Sequence, residues 1–95
     1  MTVGILRIRM AVPAETLKEK RSVVKSVIER VRQRFNAAVA EIKDLDDPGQ
    51  ATIAVVCVSN ETAHADSQLG NIARAIEEWR LDVEILAIET ELIHA

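Results

Sequence analysis

Apolar and polar residues alternate from Val3 to Val12, with Leu6, Ile8, Met10 and Val12 on one face and Val3, Ile5, Arg7 and Arg9 on the other. A period of two is the signature of a half-buried strand, and Pro13, which has no amide to donate, ends it. The pattern then changes period. Leu17, Val24, Val27, Ile28, Val31 and Phe35 recur at helical spacing, so one face of a helix is apolar. Thr16 and Glu19 stand three apart at its start, the spacing of a capping box in which hydroxyl and carboxylate each satisfy a free amide. Asn36, which tolerates the left-handed conformation, is placed to close the helix.

Ala37 to Lys43 reads as a short second strand, and Asp44 to Gly49 as a turn punctuated by Pro48-Gly49. Ala51 to Ser59 is the most apolar strand and is expected at the centre of a sheet. Asn60 is a suitable N-cap for a second helix, with Glu61 favourable to its dipole. Leu69, Ile72, Ile76 and Trp79 form the buried stripe of that helix, and Val83 to Ile93 is a final strand.

The order βαββαβ, spread over residues 1–95 without linker or repeat, predicts one α+β domain. Its compact solution is a four-stranded antiparallel sheet with both helices on one face, the ferredoxin-like arrangement. In that arrangement the first and third strands are expected side by side and parallel at the centre, with the last strand antiparallel to the first. If the last strand buries Leu86, Ile88 and Leu92, then Ile85, Ala87, Glu89 and Glu91 share the outer face with Val3, Ile5, Arg7 and Arg9. Cross-strand Arg–Glu pairing is then the expected role of Arg7 and Arg9. The apolar members of that uncovered face point to a homodimer formed sheet to sheet.

Composition narrows the function classes. Phe35 and Trp79 are the only aromatics, so base stacking on central strands, the habit of RRM-type RNA binders, is not expected. Cys57 is the single cysteine, which excludes an internal disulfide and suggests a reducing compartment; its apolar neighbours make it a small core hydrophobe. No apolar run is long enough to span a bilayer and the N-terminus does not read as a signal peptide, so the protein is expected in the cytoplasm, away from membranes.

The charge is sorted along the chain. Residues 1–35 hold nine of the 12 basic side chains and three of the 15 acidic ones, while residues 36–95 hold the other three basic and twelve acidic ones. The halves therefore carry +6 (9 − 3) and −9 (3 − 12), which the total of −3 conceals. Such asymmetry points to a polyanionic partner. On a helical wheel Arg21, Arg32, Lys25 and Lys18 fall together as a ridge beside the apolar face. Lys20 and Arg34 lie on the far flank, and Arg30 points outward. Lys18, Lys20 and Arg21 also occupy the start of the helix, where the dipole opposes each cation by roughly 0.3–1 kcal/mol at low salt. Repeated breaches of a local rule often mark a site. Lys18, Lys20, Arg21, Lys25 and Arg32 are accordingly the candidate phosphate contacts, set against the plainer reading of a solvated or internally paired face.

Catalytic signatures are missing. His64 and His94 are far apart in the pattern, and Asp44, Asp46 and Asp47 read as an acidic turn rather than a metal cluster. No phosphate-binding glycine loop, Cys/His metal spacing or nucleophile elbow is present, so no cofactor, metal or catalytic residue is expected.

The segments Val3-Gly4-Ile5-Leu6-Arg7, Leu17-Lys18-Glu19-Lys20-Arg21-Ser22-Val23-Val24-Lys25-Ser26, Arg34-Phe35-Asn36 with Val39-Ala40-Glu41, and Ala51-Thr52 leading to Val58-Ser59-Asn60 carry a resemblance. Over essentially its whole length the chain resembles the YlxP-like family of small bacterial proteins of unknown function. The resemblance implies a ferredoxin-like fold. It also implies, through genes that neighbour those of translation initiation factor two and ribosome-binding factor A, a link to translation or ribosome assembly. No catalytic residue comes with it. Many relatives carry a tryptophan in the turn that here reads Asp46-Asp47-Pro48-Gly49-Gln50, so a partner role for that turn does not carry over. The expected function is a non-enzymatic accessory protein that meets RNA or the ribosome through its basic helix. The alternative is an interaction module whose helix docks an acidic protein.

Overall fold

The computed structural model describes residues 1–79 and 82–95. The elements run β1 (Thr2–Ala11), α1 (Leu17–Arg34), β2 (Ala38–Lys43), β3 (Gln50–Ser59), α2 (Thr62–Trp79) and β4 (Glu84–His94). The strands form one sheet in the order β2-β3-β1-β4, the ferredoxin-like arrangement expected from the element order.

Every neighbouring pair is antiparallel, including β1 with β3, which corrects the parallel central pair. The reason is topological. The crossover through α1 makes β2 run the same way as β1 but one place further out, leaving a gap. The tight turn after β2 then sends β3 back into that gap, antiparallel to both neighbours.

Alternation along β1 places Leu6, Ile8 and Met10 under the helices, where they are fully buried with Val27, Val31, Ile53, Val55, Leu69 and Ile72. At the N-terminus of α1 the Thr16 hydroxyl accepts from the Glu19 amide at 3.2 Å, half of the expected capping box. The Glu19 carboxylate turns to the same hydroxyl, at 3.1 Å, instead of to an amide. The helix ends without a left-handed residue: Phe35 is extended (φ −133°, ψ 147°) and its amide closes on the Val31 carbonyl at 2.9 Å. Left-handed backbone falls instead on Asp44 (φ 59°), where the hairpin turn requires it. α2 starts at Thr62, with the Glu61 carbonyl accepting from Ala65 and the Ser59 hydroxyl accepting from the Glu61 amide, so Asn60 stands too early to cap it.

β4 departs from strict alternation. Arg9 pairs with Ala87 but Met10 pairs with Ile85, leaving Leu86 as an extra residue in a bulge. The bulge turns Ile85 onto the core, where Leu92 also packs, and leaves Leu86 39% exposed. Ile88 stays on the helix side opposite Ile8 but, on the edge strand, is 43% exposed, so the expected burial of both is overturned. A second bulge lies between Glu41 and Lys43 on the other edge strand, so both edges bend at the same end of the sheet.

Gly4 sets the approach of α2. A Cβ there would stand 3.1 Å from Cys57 Sγ and 3.1 Å from Leu69 Cδ1, inside ordinary packing distance. Gly70, in the middle of α2, meets only the Arg74 side chain at 3.6 Å and carries the helix penalty of any interior glycine. The two positions respond in opposite directions. Gly4→Ala is expected to cost about 1–3 kcal/mol through overpacking, while Gly70→Ala gains up to about 1 kcal/mol in helix propensity. Thermal melts followed by far-UV circular dichroism check both signs.

Candidate nucleic-acid interface

α1 lies beside the edge strand β2, and a shallow groove of about 580 Å³ on the opposite face is distinct from the one that runs between them, which measures about 370 Å³. The helix wall of this second groove carries Arg21, Lys25 and Arg32 around Ile28, facing the Val39–Glu41 stretch of β2. The three cations are exposed. Lys25 makes a loose i,i+4 pair with Glu29 at 3.9 Å, which water and salt screen. Arg32 donates one Nη2 hydrogen bond to the Val39 carbonyl at 3.1 Å, covering an outward group of the edge strand while its remaining donors stay available. Lys18 is exposed one turn before Arg21 and does not line the groove.

Lys20 is elsewhere. Its side chain passes under the hairpin and is 0% exposed, so the expectation that it flanks a solvent-facing ridge is corrected. Nζ donates to the carbonyls of Asp44 (2.6 Å), Gln50 (3.1 Å) and Leu45 (3.3 Å). Three carbonyls match the three protons of an ammonium, and the Glu41 carboxylate at 3.0 Å balances its charge. A cation in the first turn of α1 thus answers to the hairpin, not to an external anion. Nothing in helix periodicity reveals this, because the partners are main-chain oxygens whose position depends on the left-handed Asp44.

The remaining cations of the helix are engaged with α2. Arg30 and Arg34 lie 5.9 and 5.6 Å from the centre of the Trp79 ring, which also meets Phe35 at 6.5 Å in a tilted pair. The sequence pattern assigned Trp79 to the buried stripe of α2 and missed this cation–aromatic contact. Its signal was the spacing of four between Arg30 and Arg34, which puts them on one helix face.

On the sheet, Arg7 pairs diagonally across the strands with Glu91 at 3.3 Å, as expected, whereas Arg9 stands opposite Ala87. Cys57 is buried, with burial pushing its thiol above the ordinary range against a lowering hydrogen bond from the Gly4 backbone. Asp44 and Asp47 accept from Thr52 Oγ1 (3.4 Å) and the Gly49 amide (2.9 Å), so both serve the turn. His94 Nδ1 lies 3.5 Å from the Thr62 hydroxyl. Among the described residues no group of three or more His, Cys, Asp or Glu side chains converges as a metal site, and no helix is long and apolar enough to cross a membrane.

A family model described as a protein of unknown function, DUF503, matches residues 3–90. The chain belongs to this family. The uncharacterised protein YlxP of Bacillus subtilis (strain 168) is 29% identical over 66 residues, covering 70% of this chain and 72% of that protein, which bears out the YlxP-like resemblance. Among solved structures, a de novo designed ferredoxin-fold protein, LFR1 1, aligns with a TM-score of 0.59 at 20% identity, over 100% of this chain and 88% of that one. An antibiotic biosynthesis monooxygenase aligns with a TM-score of 0.51 at 13% identity, over 100% of this chain and 98% of that one. Both likenesses are of fold alone. For this DUF503 protein the candidate residues therefore rest on their own geometry.

Two consequences can be measured. Lys20→Met leaves Glu41 without its cation and takes a donor from three carbonyls, of which Asp44 keeps only the Asp47 amide at 3.0 Å, and should cost about 3–5 kcal/mol, the usual loss on removing one member of a buried pair. Urea unfolding should show that loss persisting at high salt, whereas Lys25→Met changes stability by less than about 0.5 kcal/mol. Cys57 should resist alkylation at mildly alkaline pH until the protein unfolds, since its thiolate is disfavoured and its sulfur enclosed; a thiol-labelling time course with and without denaturant checks this.

Proposed function

We propose that this protein is a non-enzymatic accessory factor of RNA or the ribosome that contacts phosphates through α1. The observation that carries the reading is the gathering of Arg21, Lys25 and Arg32 along one exposed groove wall, with Lys18 one turn away. Each is a donor without a strong internal partner, so each can release its counterions to a phosphate backbone. Arg21 and Arg32 offer planar forks suited to phosphate oxygens, and Lys25 a mobile point charge. Lys20 takes no part, because its three protons are already committed.

Contacts of this kind read backbone rather than base sequence. Three or four phosphate contacts correspond to a slope of roughly −2 to −4 in log affinity against log salt, at about −0.7 per contact on unpaired and about −0.9 on paired stretches of the target. The apolar floor supplied by Ile28 beside those cations favours, as a second reading, an acidic protein surface with apolar side chains.

Fluorescence anisotropy of structured ribosomal RNA fragments separates the two. Wild type should bind with the stated salt dependence, and an Arg21→Glu/Lys25→Glu/Arg32→Glu variant that keeps its melting transition should lose binding by at least about a hundredfold, since each lost phosphate contact also reverses a charge. Equal affinity in the two proteins would sink the RNA reading. A partner that co-purifies after nuclease treatment and is lost with the same variant would support the protein surface instead.

A further inference from the structure

We infer that the open face of the sheet is a self-complementary surface that takes a second copy of this chain, related by a twofold axis running parallel to the strands between β1 and β3. Both helices cover the opposite side, so among the described residues nothing covers this face. The strand register sorts it into cross-sheet rows. One row is Lys43, Thr52, Arg9 and Ala87, and the next is Ala40, Ala54, Arg7 and Glu89. The third is Ala38, Val56, Ile5 and Glu91, and the fourth Val58, Val3 and Ile93. The face is therefore graded from a charged end to an apolar end, where Val58 and Ile93 are 62% and 42% exposed.

Three features select a second copy as the occupant. The charges on and beside this face cancel: Arg7, Arg9 and Lys43 against Asp44, Glu89 and Glu91. A polyanion gains little from such a surface, while a second, equally neutral copy meets no net repulsion. The extent suffices as well. Three strands of ten or eleven residues and β2 of six, about 4.8 Å apart and rising about 3.3 Å per residue, span roughly 600 Å² per copy, so about 1,200 Å² in all, at the lower end of stable interfaces. Finally, the face offers a recess to a partner's side chains. The depression of about 580 Å³ on this face is bordered by Arg7, Arg9, Lys43 and Glu89 and floored by the short Thr52 and Ala87.

The grading also chooses the axis. A twofold axis across the strands would lay the apolar row on the cationic one. An axis along the strands keeps each row facing itself with its order reversed. Val3 then meets the partner's Val58, Ile5 the partner's Val56, and Arg9 descends on the partner's Thr52. Glu89 comes diagonally beside the partner's Lys43. Within one chain Lys43 and Glu89 stand on opposite edge strands, three strand spacings or about 14 Å apart, so any coupling between them reports the second copy.

Sedimentation equilibrium across the micromolar range tests this. Wild type should weigh twice the 10.5 kDa of the chain. Val58→Lys, at an exposed strand position that accepts a polar side chain without unfolding, should weigh half as much as wild type. Lys43→Glu and Glu89→Lys should each weaken association at least about tenfold, as like charges brought together across an interface do, and the double exchange should restore it. A monomeric wild type overturns the inference, as does a dimer indifferent to Val58→Lys. Failure of the double exchange to restore association overturns the proposed axis. Arg21→Glu/Lys25→Glu/Arg32→Glu, on α1 and outside the rows of the open face, should leave the mass unchanged, so this result stands or falls apart from RNA binding.

Discussion

The Lys20 ammonium ties the first turn of α1 to the β2–β3 hairpin. α1 packs its apolar face on the sheet, but that packing does not determine where its first turn sits relative to the β2–β3 hairpin. Lys20 does so by reaching three main-chain oxygens of Asp44, Leu45 and Gln50 and the Glu41 carboxylate. Carbonyls in a turn have no ladder partners, and leaving them buried and unpaired is costly. One cation reaches three of them, and the Asp47 amide also bonds the Asp44 oxygen at 3.0 Å. The left-handed Asp44, the bulge after Glu41 and the course of β2 along α1 all meet at that point.

This arrangement also separates the cations of α1 into three kinds of work. Lys20 fastens the hairpin, Arg30 and Arg34 flank Trp79 at the end of α2, and Arg21, Lys25 and Arg32 remain on the groove beside β2. A helix that reads as uniformly basic is thus divided between internal and external duties. What remains outside is a compact strip rather than a long ridge, a size suited to a few phosphates of a folded backbone. The charge-balanced open face of the sheet is of a different character, and the two surfaces meet only at the β2 edge, at Ala40.

The bulges have consequences beyond local pairing. By adding Leu86 to β4, the chain turns Ile85 inward and leaves Ala87, Glu89, Glu91 and Ile93 on the open face in one continuous set. Bulges at the same end of both edge strands increase the local twist and bend the sheet there. The depression between Arg9 and Lys43 follows from that bend together with the short side chains on its floor. Gly4 acts from the other side, admitting Leu69 close to the sheet and burying Cys57 beneath it.

Periodicity in the sequence by itself determined the element order, the inner face of β1, the apolar stripes of both helices and the central place of β3. These depend on which side of a strand or helix is apolar, a property of near neighbours. Topology with its antiparallel centre, the side reversal in β4 and the fate of Lys20 were decided only in three dimensions. Each depends on backbone from distant segments: the hairpin that returns β3 into the gap, the register against Met10, and carbonyls exposed by the turn. A wheel projection can say that Lys20 lies off the apolar face. It cannot say that three oxygens from residues 44–50 wait there, because main-chain acceptors leave no mark in composition or spacing.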